Sequence, residues 1–183
     1  MRIRHNGTVD STVISSRQVL LTDGQFHAAR IEVSQGRIRS IAALGRDESP
    51  TTDLMLAPGF VDLQVNGIED VDVWSTALAD NTTAWERINQ LLLDQGVTSW
   101  CPTLVTAPLD LYRVAIEFVN RQRRVLGTPH VIGVHLEGPF LGGAVGAHRS
   151  KDICEVNTKW LLEHVDGVAL MTLGAEVHGA VEA

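Results

Sequence analysis

The sequence predicts an α/β fold in which a small antiparallel β unit precedes a parallel sheet, and three observations carry the prediction. Between Val13 and Leu44 short apolar runs are punctuated by Asp23-Gly24 and Gln35-Gly36, dipeptides suited to hairpins because glycine readily takes the positive φ such turns require. Beyond Leu54 strands alternate with amphipathic helices, and the short turns between them imply parallel strands joined by right-handed crossovers. The stretch Val131 to His148, VIGVHLEGPFLGGAVGAH, runs an apolar strand into a glycine-rich loop and delivers polar side chains where the strand stops.

The elements follow in order. The β unit is separated from the next segment by a polar stretch, Arg46 to Asp53, which contains Pro50 and reads as a linker or crossing loop. LMLAPGFVDLQVNG is a strand interrupted at Pro58-Gly59 that resumes from Phe60 to Val65. A helix is predicted from Asn81 to Gln95, with Thr83 and Glu86 in capping-box spacing, Gly96 as its stop, and Trp85, Ile88, Leu91 and Leu92 on its apolar side. A strand over Val97 to Val105 follows, then a helix opened by Pro108 that runs to about Val125 and ends at Gly127. The strand beginning at Val131 is third. Asn157 or Thr158 can cap a helix over Lys159 to Val165, and Val168 to Leu173 is the fourth strand.

Composition bounds the function. The chain is 44% hydrophobic and 20% charged, as expected of a globular protein, and 15 basic against 22 acidic residues argue against a nucleic-acid partner. The clearest basic cluster, Arg121, Arg123 and Arg124, sits near the end of a predicted helix, where it suits the negative end of the helix dipole as a solvated cap. No apolar stretch has the length of a signal-peptide core or a bilayer span, so the expectation is a cytoplasmic protein with no membrane partner. The two cysteines, Cys101 and Cys154, lie far apart and fit a reducing compartment better than a disulfide framework.

Strand alternation puts Gly133, His135 and Glu137 on one face and Val134 and Leu136 on the other. Two readings stand open: His135 is a hydrogen-bonded core histidine with Glu137 capping the next element, or a carboxylate and an imidazole are placed together for chemistry at a strand end. Asp62, Gln64 and Asn66 share a face of the first strand after the β unit, and such side chains are costly to bury unless hydrogen-bonded or solvated at a mouth. A solvated mouth is expected. For Asp62 itself, a tie between strand and loop backbone is the expected reading and the mouth the alternative.

In this order, the DG and QGRI turns, APGFVDLQVNG, GVTSWCPTLVT, GVHLEGPFL with GAH, and VALMTLGAE resemble the N-acetylglucosamine-6-phosphate deacetylases of the amidohydrolase superfamily. The resemblance covers Val13 to Glu176. It implies a partial TIM-type (β/α) barrel of about four of the eight βα units, preceded by the small β unit; residues 1-56 would belong to a small β-sandwich and 57-183 to the N-terminal part of the barrel. It implies metal-dependent removal of the acetyl group from a phosphorylated acetylamino sugar, N-acetylglucosamine 6-phosphate, using one divalent ion, zinc first, with iron, cobalt or manganese as alternatives. Glu137 matches the metal-ligating glutamate and His148 a histidine that contacts substrate. Gln64 and Asn66 occupy the places of the His-x-His pair that binds a second metal in many amidohydrolases, and amides are poor substitutes for imidazole there. His135 would orient the strand end or the metal's surroundings. A homo-oligomer, in the first place a dimer, is implied for the full barrel.

Departures accompany the resemblance. A TIM barrel typically needs ~250 residues, so the remaining strands, with the family's two histidine ligands and catalytic aspartate, would lie beyond Ala183. No catalytic residue is therefore assigned within this chain. His164 and His178 do not match ligand positions. Gly174-Ala175 stands where Ala-Pro is common before the glutamate, and Val145 where a basic residue is frequent. The alternative function is a non-catalytic half-barrel acting as a fragment, binding or assembly module.

Overall fold

A computed structural model describes residues 11–123, 127–143 and 145–181. The chain divides into two compact units, one reaching to Pro58 and the other starting at Gly59.

In the first unit β1 (Ser11–Leu20), β2 (Phe26–Ser34) and β3 (Arg37–Ala43) form an antiparallel meander in the order β1-β2-β3. The turns fall at the two glycine dipeptides, with Gly24 and Gly36 at positive φ. The polar stretch after β3 is not a free linker. Arg17 on β1 donates to the carbonyls of Gly45, Arg46 and Glu48 at 3.0, 3.0 and 2.6 Å, and Thr51 exchanges hydrogen bonds with Ser15. A planar guanidinium with five donors can satisfy several loop carbonyls at once, so the loop folds back on the strand. Leu56 then bridges Val19 in parallel, which places the first half of the interrupted strand in this unit.

The second unit begins with β4 (Phe60–Val65), the short hairpin β5 (Gly67–Ile68) and β6 (Val71–Asp72), and α1 (Val73–Leu78). The hairpin and α1 are not anticipated from periodicity, being too short to show a period; Asp72 caps α1 by accepting from the Ser75 N–H at 2.7 Å. There follow α2 (Thr82–Asp94), β7 (Val97–Val105), α3 (Leu109–Gln122), β8 (His130–Val131), β9 (Val134–Glu137), a 3-10 turn (Ser150–Asp152), α4 (Thr158–His164) and β10 (Val168–Thr172). β10, β9, β7 and β4 lie side by side in that order, all parallel, and β8 adds to β7. The result is a parallel sheet with helices, an α/β unit.

Three expectations are corrected. Helix α2 is capped by Asn81, whose side chain accepts from Ala84 N–H at 3.0 Å; because Asn81 takes the cap position, Thr83 and Glu86 lie inside the helix and form no capping box. The strand expected over Val131 to Leu136 is two strands. At the break, a Cβ on Gly133 would lie 2.9 Å from the Gly167 carbonyl oxygen, and Arg123 donates to the Ile132 carbonyl at 2.7 Å. Arg123 is thus tied down, and Arg121 pairs with Asp80 at 2.5 Å, so neither is simply a solvated cap; Arg124 lies outside the described residues.

The core forms where the helices cover the sheet. Trp85 and Ile88 of α2, Tyr112 and Phe118 of α3, and Trp100 and Leu136 of the strands are fully buried. Trp85 packs on Trp100 at 5.0 Å and edge-on to Phe118 at 5.4 Å, and Tyr112 meets Trp160 of α4 edge-on at 5.5 Å. Such rings supply large apolar area with geometric preference, which fixes the helices on the sheet. Among the described residues no helix is long and apolar enough to cross a membrane.

Candidate active site

Parallel strands end together, and here the ends are level. Val105 of β7 and Thr172 of β10 both lie opposite Glu137 of β9 in the pairing register. A cleft of about 700 Å³ opens at these C-terminal ends, lined among others by Asn66 after β4, Thr106 after β7, Glu137, Thr172, and His148 and Arg149 of the glycine-rich loop. In α/β sheets this is the edge where ligands bind.

The end of β7 is braced from below. The Val105 carbonyl accepts from the Trp74 indole N–H at 2.8 Å and from the Tyr112 hydroxyl at 3.1 Å, and Tyr112 accepts in turn from the Ala107 N–H at 3.2 Å. Burial pushes the Tyr112 phenol up from its ordinary range. These bonds set where Thr106 stands. Its hydroxyl is buried, 2.8 Å from His148 Nδ1 and 3.4 Å from the Glu137 carbonyl oxygen.

Glu137 and His148 meet in the cleft, His148 Nε2 lying 3.7 Å from Glu137 Oε1, with the Glu137 side chain 20% and the His148 side chain 16% exposed. Both can therefore reach a ligand.

His135 is placed differently. Its Nδ1 lies 3.0 Å from the Leu63 carbonyl oxygen of β4, which can only accept, so Nδ1 carries the hydrogen. Nε2 then accepts from the Thr172 hydroxyl of β10 at 2.8 Å. Both ring nitrogens are occupied by the protein. Because neighbouring strands are ~4.8 Å apart, a side chain on β9 can reach β4, two strands away, only if the sheet curls towards that face.

Asn66 lines the cleft and is exposed, whereas Gln64 is an exposed residue of β4 outside that lining. Asp62 accepts from the Gln64 N–H at 3.0 Å, a bond within β4 and not one between strand and loop. His164 stacks on Trp160 at 4.5 Å and donates to its carbonyl, and His178 is exposed; neither joins the cleft lining.

The departure at Gly174 has a steric basis. A Cβ there would lie 2.4 Å from Gly142 N, so the glycine-rich loop lies directly on this backbone, and Glu176 Oε1 accepts from Gly143 N–H at 3.2 Å. Thr106, Thr172 and Arg149 are cleft residues that sequence patterning does not single out. The available signal for the threonines is position, each lying at the C-terminal end of a strand.

Among the described residues no group of three or more histidine, cysteine, aspartate or glutamate side chains comes together to hold a metal ion. Glu137 fits as one ligand, open to the cleft and charged. A complete donor set is not formed by these residues.

No protein-family model matches the chain. Human N-acetylglucosamine-6-phosphate deacetylase is 42% identical over 140 residues, covering 70% of this chain and 33% of its own. The enzyme of the same name from Danio rerio is 32% identical over 165 residues, covering 82% of this chain and 41% of its own. The chain is similar to N-acetylglucosamine-6-phosphate deacetylases over most of its length. The solved structure of N-acetyl-D-glucosamine-6-phosphate deacetylase from Mycobacterium smegmatis shares its fold, with a TM-score of 0.78 over 93% of this chain and 49% of that one at 23% identity. These deacetylases are hydrolases. The chain spans less than half the length of the curated relatives it matches.

Proposed function

We propose that the cleft at the strand ends is part of a site that hydrolyses the acetamide of N-acetylglucosamine 6-phosphate, releasing acetate and glucosamine 6-phosphate. The observation that carries this reading is the convergence of Glu137 and His148 at 3.7 Å in a cleft at the ends of parallel strands, in a chain similar to deacetylases of that substrate. His148 contacts a substrate oxygen and Glu137 is one ligand of a divalent ion, zinc before iron, cobalt or manganese. The described residues do not complete a donor set for that ion, so no step is routed through it, and none of them is assigned as the catalytic acid or base. Asn66 lies at the mouth in the place of a second-metal ligand, with Gln64 beside it on β4, and His135 supports the strand ends. The curl that His135 spans supports a partial TIM-type barrel, residues 57-183 forming its N-terminal part and 1-56 part of a small β-sandwich. A cytoplasmic homo-oligomer, in the first place a dimer, completes the reading.

A second reading is favoured by one observation. On the edge strand β4, Phe60, Val61 and Leu63 are 69%, 58% and 49% exposed, and an open apolar edge favours pairing. On that reading the chain is a half-barrel acting as a binding or assembly module. The test measures acetate release from, and binding of, N-acetylglucosamine 6-phosphate by the 183-residue chain with and without added zinc. Binding without turnover by this chain alone, weakened about tenfold in His148→Ala, is the expected result. Absence of binding as well as of turnover would overturn the enzyme reading for this chain and leave the module.

A further inference from the structure

We propose that Thr106 is a positioning residue that makes His148 present an N–H at Nε2 to the cleft, so that this histidine recognises an oxygen acceptor on the ligand. The inference rests on the reading of the cleft as a substrate site only for the ligand; the internal arrangement stands on its own geometry.

An imidazole nitrogen either donates or accepts, and the bond made by one nitrogen determines what the other can offer. Suppose Nδ1 held the only ring hydrogen and donated to Thr106 Oγ1, 2.8 Å away. Nε2 would then turn a lone pair towards Glu137 Oε1 at 3.7 Å, setting acceptor against anionic acceptor. With the hydrogen at Nε2, the same pair attracts, and the Thr106 hydroxyl donates to Nδ1. The hydroxyl's other acceptor is the Glu137 carbonyl at 3.4 Å, beyond the usual hydrogen-bond range, so the shorter bond to His148 prevails. Should the ring be doubly protonated, Nε2 still carries a hydrogen.

Thr106 has little freedom to do otherwise. It is 5% exposed, on a strand end braced by Trp74 and Tyr112. Gly138 makes room for it: a Cβ at that position would lie 2.2 Å from Thr106 Oγ1. The hydroxyl thus joins the end of β7 to the glycine-rich loop.

The experiment is nitrogen-15 NMR of the imidazole side chains in the full chain, with His148 assigned through His148→Gln, recorded at mildly alkaline pH. The wild-type spectrum should show a bare Nδ1 and a protonated Nε2 at His148. Thr106→Val keeps the shape and removes the hydroxyl; it should give a mixture of tautomers and weaken N-acetylglucosamine 6-phosphate binding about tenfold, the value of one hydrogen bond at the upper end of its range. Thr106→Ser should restore both. A wild-type His148 protonated at Nδ1 alone overturns the proposal even if the valine variant fails to fold, as does a valine spectrum unchanged at His148. Failure of the wild type to bind the sugar phosphate, with the tautomer as expected, would instead count against the proposed substrate and leave the role of Thr106 intact.

Discussion

Replacing His135 by phenylalanine tests whether the imidazole holds the curled sheet together through its hydrogen bonds or merely fills space. The ring is 6% exposed and bonds the Leu63 carbonyl at 3.0 Å and the Thr172 hydroxyl at 2.8 Å, joining β4 and β10 from the strand between. Phenylalanine conserves most of the volume, so the cavity contribution is small and the lost bonds dominate. At about 1 kcal/mol for each bond, and more for a carbonyl left without a partner, the variant should lose about 2 kcal/mol. All four tryptophans lie in the second unit, so fluorescence during urea unfolding reports that unit alone. With m of about 2 kcal/mol per molar, the midpoint should fall by about 1 M. Thr172→Val should cost about 1 kcal/mol by itself and nothing further in the double variant, a coupling of about 1 kcal/mol. A midpoint shift below about 0.3 M, or additive single effects, would refute the bridging role and return His135 to plain packing.

Three further outcomes are expected. Tyr112 is the chain's one tyrosine, and burial raises its pKa; the folded state holds this proton more tightly than the unfolded chain, so its contribution is whole below the ordinary tyrosine range near about 10 and is lost as pH rises beyond it. Thermal melts in alkaline buffers should show stability declining with pH more steeply in wild type than in Tyr112→Phe, and equal slopes would contradict this. Asn81→Ala removes the α2 cap and should destabilise the second unit by about 1 kcal/mol in the same urea assay, whereas Thr83→Ala should cost less than half of that. Thiol labelling of the native chain should modify Cys154, which is partly exposed, well before the fully buried Cys101; equal rates would show that β7 opens far more readily than its packing implies.

Much of the architecture is written in local patterns. The hairpin dipeptides, the helical spacing of Trp85, Ile88 and Leu92 and the apolar run of β7 each express a preference that needs only near neighbours, and β7 and α2 form within a residue of where those patterns place them. The split between β8 and β9 was hidden because it arises from a distant contact, the Gly167 backbone against Gly133. Arg17 likewise looks like any exposed basic residue until the loop of Gly45 to Glu48 folds over it.

The same division runs through the cleft. Residue type and place at a strand end mark His135 and Glu137 alike, and it is the resemblance of the surrounding motifs that singles out Glu137 and His148. What each histidine bonds is decided only by tertiary structure. His135 and His148 are both imidazoles within the same short stretch, yet one has both nitrogens tied to β4 and β10 and the other keeps Nε2 turned to the cleft. Hydrogen-bond partners distinguish them, and those partners, Leu63, Thr106 and Thr172, lie tens of residues away and are brought within 3 Å only when the parallel strands align.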